Sequence, residues 1–333
     1  MTDRIITLKD CGELGFIESI KPLMRDHNGK FRRPVGDDCL ETEAIHGESI
    51  LATTDTFIDT VHFAREYFSF EEVGTRCMAA SVSDIAAMAG TPLFSLVSLS
   101  MPKDFPLDDA RALFKGLQDC AAGYGCTLAG GETTSTPGPV TITVTAIGTA
   151  IPGNAVYRSG AQAGDSLYVS GTIGDTMAGL MAFQKNIPAF DTLKNKFIAP
   201  VARVELARKL ADNYKLNAMI DVSDGVATDL RHILEESGVG SEIYADSLPL
   251  SDEYCDFASE HIDDPVSFAL ASGEEFELLF TSNDKNMPAQ LNLNGQQITR
   301  IGMITDKTGI CELVTPDGLK NILASKGYEH FKA

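Results

Sequence analysis

The chain has 333 residues, 44% hydrophobic and 22% charged, which fits a globular protein of about two domains with apolar mass for substantial cores. Its formal net charge of −20 argues against a nucleic-acid backbone as partner, since such binding rests on Lys and Arg neutralising phosphates. A phosphorylated ligand is compatible with that charge where metal ions bridge the two negative parties. The N-terminus, MTDRIITLKDCGE, lacks the apolar run of a signal peptide, and no stretch approaches the length of a membrane span, so the sequence predicts a cytoplasmic chain. Seven cysteines (Cys11, Cys39, Cys77, Cys120, Cys126, Cys255 and Cys311) include no C-x-x-C pair, which indicates neither a zinc site nor a disulfide framework.

Residues 12 to 33 read as a short amphipathic helix followed by a polar loop, leading to the acidic turn Gly36-Asp37-Asp38. Ser49 to Thr53 reads as the end of a strand that breaks into Thr53, Thr54 and Asp55, with His62 seven residues later. A strand ending in an acid commonly ends at a site, because ligands of open α/β architectures sit beyond the carboxyl ends of strands.

Residues 70 to 89 read as a helix, and from Cys77 to Pro102 the only charged residue is Asp84. A helix apolar nearly all round is a buried one, and a buried carboxylate needs a partner or must protonate. An arginine or a metal ion would serve. Pro92 to Met101 is strand-like, and Leu107 to Tyr124 is an amphipathic helix. Cys126 to Ala129 is a short strand entering Gly130-Gly131-Glu132-Thr133-Thr134, where paired glycines would let a ligand approach the backbone. Val140 to Ile147 is a strand, and the turn Pro152-Gly153-Asn154 divides the chain into domains 1–150 and 151–333.

The second half opens with the loop Arg158 to Asp165 and the strand Ser166 to Val169. A helix over 200–213 and a buried strand over Ala218 to Val222 follow. That strand turns through Ser223-Asp224-Gly225 into a helix over 226–236. Ser223 and Asp224 suit helix capping, which leaves Asp221, inside the apolar strand, without an explanation. Strand-like runs at Glu275 to Phe280 and Gln297 to Ile304 complete the pattern.

Carboxylates beside hydroxyls and glycine loops, with no basic cluster, suggest Mg²⁺ held by oxygen ligands and carrying a polyphosphate. Neither a Walker A sequence nor the protein-kinase motifs occur. The series GDD (Gly36 to Asp38), ATTDTFIDTVHF (Ala52 to Phe63), SDIAAMAG (Ser83 to Gly90), GGETT (Gly130 to Thr134), YRSGAQAGD (Tyr157 to Asp165), DVSDGVATDLRHIL (Asp221 to Leu234), SGEEFELLF (Ser272 to Phe280) and KGYEHF (Lys326 to Phe331) resembles the thiamine-monophosphate kinase family.

The resemblance implies an α/β protein of the α+β type with the two-domain aminoimidazole ribonucleotide synthetase-like fold. Its N-terminal α/β domain would bind ATP and Mg²⁺ and form a homodimer; its C-terminal α/β domain would close the active site. ATP, several Mg²⁺ ions and thiamine monophosphate would share the crevice. By the same resemblance Asp38, Thr53, Thr54, Asp55, Asp84, Glu132, Asp221 and Asp224 would hold metal. Gly131, Glu132, Arg158 and Ser223 would face ATP, and His62, Glu274 and Tyr328 would face thiamine monophosphate. Glu132 and Glu275 depart from the family's usual Asp by one methylene each. The acceptor is an anionic phosphate oxygen, so the implied mechanism is direct in-line transfer with no acid or base residue. Two rivals are another ATP-dependent enzyme of the superfamily and a nucleotide-binding regulator without turnover.

Overall fold

The computed structural model describes residues 31–33, 37, 39–43, 47–293 and 295–323. Asp38 and Tyr328 lie outside these residues, as does the short helix expected within 12–33; the last three positions of that stretch, after the expected polar loop, are a strand. The first half builds one sheet from β1 (Phe31–Arg33), β2 (Leu40–Glu43), β3 (Ser49–Ile58), β4 (Thr91–Met101), β5 (Thr127–Ser135) and β6 (Thr141–Ala150). Their spatial order is β1-β2-β3-β6-β4-β5, antiparallel except for β4 beside β5. Helices α1 (Phe70–Ala87) and α2 (Leu107–Gly123) cover one face of it.

The second half forms a sheet from β7 (Ser166–Ser170), β8 (Leu216–Asp221), β9 (Gly240–Tyr244), β10 (Leu278–Ser282), β11 (Gln290–Leu293), β12 (Gln296–Thr305), β13 (Cys311–Val314) and β14 (Lys320–Ile322). The order is β14-β13-β9-β12-β7-β10-β8, with β11 paired to β12. Among the described residues six α-helices accompany it: α3 (Asp175–Gln184), α4 (Asp191–Ile198), α5 (Val204–Asn213), α6 (Val226–Ser237), α7 (Asp252–His261) and α8 (Pro265–Ala271). This mixture of mainly antiparallel sheets and segregated helices is the α+β arrangement the sequence predicts.

Two expectations are corrected. The strand through Thr53-Thr54-Asp55 does not end there but runs on to Ile58, pairing with β6 residue by residue from Ser49 opposite Ala150 to Ile58 opposite Thr141. β-Branched residues at Thr53, Thr54, Thr56 and Ile58 favour this extension. Likewise Gly130 and Gly131 lie inside β5, in register with Leu96 and Val97 of β4, rather than in a loop after it. At Gly131, φ is +155° and a Cβ would run into the Val97 carbonyl, so only glycine permits the pairing.

Helix α1 is the joint between the halves. Ser69 and Glu72 start it with a capping box, and most of its residues are buried on all sides. Met78 and Val82 belong to a core that contains Leu113 and Val144 of the first half and Leu206, Met219 and Phe280 of the second. A second core, around Leu230, Ile233 and Phe257, lies within the second half.

Candidate active site

Two neighbouring stripes of α1 at i, i+4, i+7 spacing, about 100° apart round the helix, carry polar groups toward different partners. Cys77, Ser81 and Asp84 face β3. Thr53 Oγ1 donates to Asp84 Oδ2 at 2.5 Å, and Ser81 is hydrogen-bonded to Asp55, whose carboxyl burial pushes above the usual range. Burial also raises the Cys77 thiol, against the pull of Arg76, so it is an inert side chain rather than a nucleophile.

Arg76, Ala80 and Ser83 face the second half. Ser83 Oγ donates to Asp221 Oδ2 at 2.5 Å, at the end of β8. Arg76, 2% exposed, pairs with Glu274 and donates to the Phe197 carbonyl. Its guanidinium carbon lies 4.7 Å from the centre of the Phe197 ring and 5.6 Å from that of Phe68, a cation–π arrangement on both rings. Breaking a buried pair leaves a charge uncompensated, so Arg76→Met is expected to cost about 3 kcal/mol, the low end because Glu274 keeps some solvent. Thermal unfolding checks this.

The loop after β8 is zipped to the segment before β10. Glu274 N–H donates to the Ser223 carbonyl at 2.7 Å, Phe276 N–H to Val222 at 2.8 Å, and Val222 N–H to Glu277 at 2.8 Å. Glu274 and Phe276 have φ of +60° and +50°. Such conformations in side-chain-bearing residues persist where the surroundings over-determine them, and they cluster at ligand sites. Neither Ser223 nor Asp224 caps α6, which starts at Gly225 without a side-chain cap; Asp229 instead accepts from the N–H groups of Asp224 and Gly225, just before the helix, at 3.0 Å each. Asp229 is 1% exposed, and burial first, then Asp224 and Asp221, raises its carboxyl well above the usual range.

These parts enclose a cleft of about 900 Å³ between the halves. Its lining carries the acids Asp55, Asp84, Asp221 and Asp224 with Ser223, and the rings of Tyr67, Phe68, Phe197 and Phe276, together with His62 and Glu274. Tyr67 stacks on Phe183 with ring centres 5.2 Å apart, and Phe68 meets Phe197 at the same distance. His62 Nδ1 accepts from the Ile58 N–H at 3.1 Å, which fixes the turn after β3 and leaves Nε2 as the ring's other polar atom.

The remaining predicted positions are placed differently. Thr54 lines the cleft, but its hydroxyl bonds Thr145 at 3.1 Å and the Val144 carbonyl at 3.3 Å. That is the outward face, because neighbouring strand residues alternate. Among the described residues β2 ends its pairing at Leu40 opposite Ala52, so from Thr53 onward that edge of β3 borders the cleft. Gly131 and Glu132 lie on the exposed β5, outside the cleft lining; Glu132 is in register with Ser98, on the outward face, and accepts from the adjacent Thr133 N–H. Arg158 N–H donates to Asp37 Oδ1 at 2.9 Å, and Arg158 also lies outside the lining. Arg76, Asp229 and the aromatic wall were not singled out from sequence. Only Arg76 left a signal, a lone cation at the start of an apolar helical run.

The chain matches two families, the AIR synthase related protein N-terminal domain over residues 36–150 and its C-terminal domain over residues 162–312. It is 36% identical to the thiamine-monophosphate kinase of Bacillus subtilis, over 96% of this chain and 99% of that protein. Identity to the thiamine-monophosphate kinase of Aquifex aeolicus is 32%, over 97% and 99%. Among solved structures, AaThiL complexed with AMPPCP and TMP superposes with a TM-score of 0.85 at 30% identity, covering 98% of this chain and 99% of that one. The hydrogenase maturation protein HypE in complex with ATP, at 17% identity and a TM-score of 0.71, shares the fold. Fold, motif order and near-complete coverage agree, and the chain belongs to the thiamine-monophosphate kinase family.

Proposed function

We propose that this chain transfers the γ-phosphoryl group of ATP directly to the phosphate of thiamine monophosphate, giving thiamine diphosphate and ADP. The observation that carries the reading is one cleft lined by both rings and acids. Aromatic rings with Glu274 suit a flat, cationic thiazolium, and the carboxylates suit the place where phosphates must meet. The cleft holds no arginine or lysine among its described lining residues. Four acids and polyanionic substrates therefore require a cation between them.

The donor set fits Mg²⁺: Asp55, Asp84, Asp221 and Asp224 offer hard oxygens, and Thr53 and Ser83 orient two of the carboxylates. Among the described residues no three acid, His or Cys side chains form a ready-made metal cage. That suits Mg²⁺, which keeps waters and takes its remaining ligands from phosphates. Asp55, Asp84, Asp221 and Asp224 would hold it, with Asp38, Thr53, Thr54 and Glu132 as further candidates. When bound, the metal neutralises the crowded phosphate oxygens. Ser223, Gly131, Glu132 and Arg158 are the candidates for ATP, and His62, Glu274 and Tyr328 for thiamine monophosphate.

The acceptor oxygen is already anionic at neutral pH, so no residue need remove a proton, and the protein's part is alignment. His62→Ala is accordingly expected to raise KM for thiamine monophosphate about tenfold and to keep most of kcat; the reverse pattern would make His62 a base. Direct transfer predicts inversion at the transferred phosphorus when ATP made chiral with oxygen isotopes is used. Retention would indicate a phosphoenzyme.

We assign residues 1–150 to ATP and Mg²⁺ binding and to dimerisation, and 151–333 to completing the substrate sites. The outward face of the first sheet supports a homodimer: Phe94 and Leu96 are exposed there, Leu96 in register with the Thr54–Thr145 hydroxyl pair and the Thr56–Thr143 pair beside it, and β5 is an exposed edge. Sedimentation equilibrium tests it. Six free cysteines among the described residues support the cytoplasm as its compartment, and no described helix is long and apolar enough to cross a membrane.

A further inference from the structure

Glu274 and Glu275 are neighbours whose side chains leave the loop in opposite directions. Glu274 reaches Arg76 at the cleft. The Glu275 side chain is 0% exposed and turns into the second half. It accepts from Gly174 N–H at 2.8 Å, Thr176 N–H at 3.2 Å, Thr176 Oγ1 at 2.9 Å and Ser272 Oγ at 2.7 Å. Its remaining partner is Lys196, with Nζ 3.1 Å away. Lys196 also donates to the Thr172 carbonyl at 2.6 Å and meets Asp175 at 3.1 Å. Burial works against this ammonium, but Glu275 and Asp175 outweigh it and raise its pKa above the ordinary lysine value.

The residue after Lys196 is Phe197, whose carbonyl and ring hold Arg76. Two adjacent residues at the end of α4 therefore hold two adjacent residues of the loop. Lys196 grips Glu275 directly, and Phe197 grips Glu274 through Arg76. Glu274 and Phe276, on either side of Glu275, are left-handed, a backbone that relaxes unless it is fixed from more than one side. A misplacement of the Glu274 carboxylate or the Phe276 ring would be felt by whatever binds against them.

We infer that Lys196 and Glu275, neither of which lines the cleft, are positioning residues for thiamine monophosphate: their buried pair fixes the loop that presents Glu274 and Phe276. This rests on the reading that those two residues face thiamine monophosphate. It also gives Glu275 a role distinct from that of Glu274.

The test is steady-state kinetics of the full chain with each substrate varied, beside thermal melting, for Glu275→Gln, Lys196→Met and Lys196→Arg. Glu275→Gln keeps an oxygen for the Gly174 and Thr176 donors and leaves Lys196 paired with Asp175, so it retains the fold. It is expected to raise KM for thiamine monophosphate about 10- to 100-fold, since small misplacements are costly, while KM for ATP stays within about threefold. Lys196→Met is expected to follow it, and Lys196→Arg to restore most of the loss. A folded Glu275→Gln protein with the wild-type KM for thiamine monophosphate, or with both KM values raised equally, overturns the inference. Failure of the wild-type chain to make thiamine diphosphate would instead overturn the functional reading beneath it.

Discussion

Asp84→Asn is expected to fold with the wild-type melting temperature and to lose turnover by about 100- to 1000-fold, the effect of removing one preorganised electrostatic group. The fold survives because asparagine keeps the oxygen to which Thr53 Oγ1 donates, and the change removes a charge from a half-buried site. Turnover fails because the cleft loses one of the acids on which a cation and the phosphates depend. Circular dichroism and melting establish the first half, and product formation at saturating ATP and thiamine monophosphate the second. Turnover within about tenfold of wild type would place the essential charge elsewhere.

The second large effect lies away from the chemistry. Where α1 crosses α2, a Cβ on Gly74 would run into the Leu113 carbonyl, and one on Gly116 into the Glu71 carbonyl. The two backbones touch through paired glycines. Gly74→Ala must therefore push the helices apart, at a net cost of about 2 kcal/mol, from roughly 3 kcal/mol of overpacking against backbone less the about 1 kcal/mol by which alanine is the better helix former. Because α1 carries Arg76, Ser83 and Asp84, the displacement should also raise KM for both substrates. Gly123→Ala provides the control: it closes α2 with open space around its Cβ position, and should be neutral or mildly stabilising. Equal effects from the two variants would refute the crossing as the cause.

Much of this was legible in the sequence wherever periodicity carried it. The apolar run around Asp84 gave α1 and the expectation that its carboxylate has a partner, though the partner the structure supplies is a hydroxyl, Thr53. The strand through Asp221 and the helix after Gly225 followed from the same patterning. Polar stretches misled. Thr53-Thr54-Asp55 reads as a strand breaking up, yet β-branched side chains and pairing with β6 carry the strand three residues further. Gly130-Gly131 reads as a loop, yet sits in a strand whose neighbour comes too close for a Cβ.

Distance along the chain hid the rest. Asp229 holds the loop before its own helix, where local composition favours Ser223 and Asp224 as caps that the helix does not use. Arg76 meets Glu274, and Lys196 meets Glu275, across separations that no period of 2 or 3.6 residues can register. The resemblance to a kinase family identified the acids as a set. It did not show that Thr54 and Glu132 turn to the face opposite Asp84, because that depends on strand register.

The measurement that tests the central claim most directly is incubation of the purified chain with ATP, Mg²⁺ and thiamine monophosphate, followed by chromatographic separation of thiamine phosphates and nucleotides. The cleft of acids and rings predicts thiamine diphosphate and ADP in equal amounts, with neither product formed when Mg²⁺ is removed by chelation. ATP binding without thiamine diphosphate, or ADP released without it, would contradict the assignment.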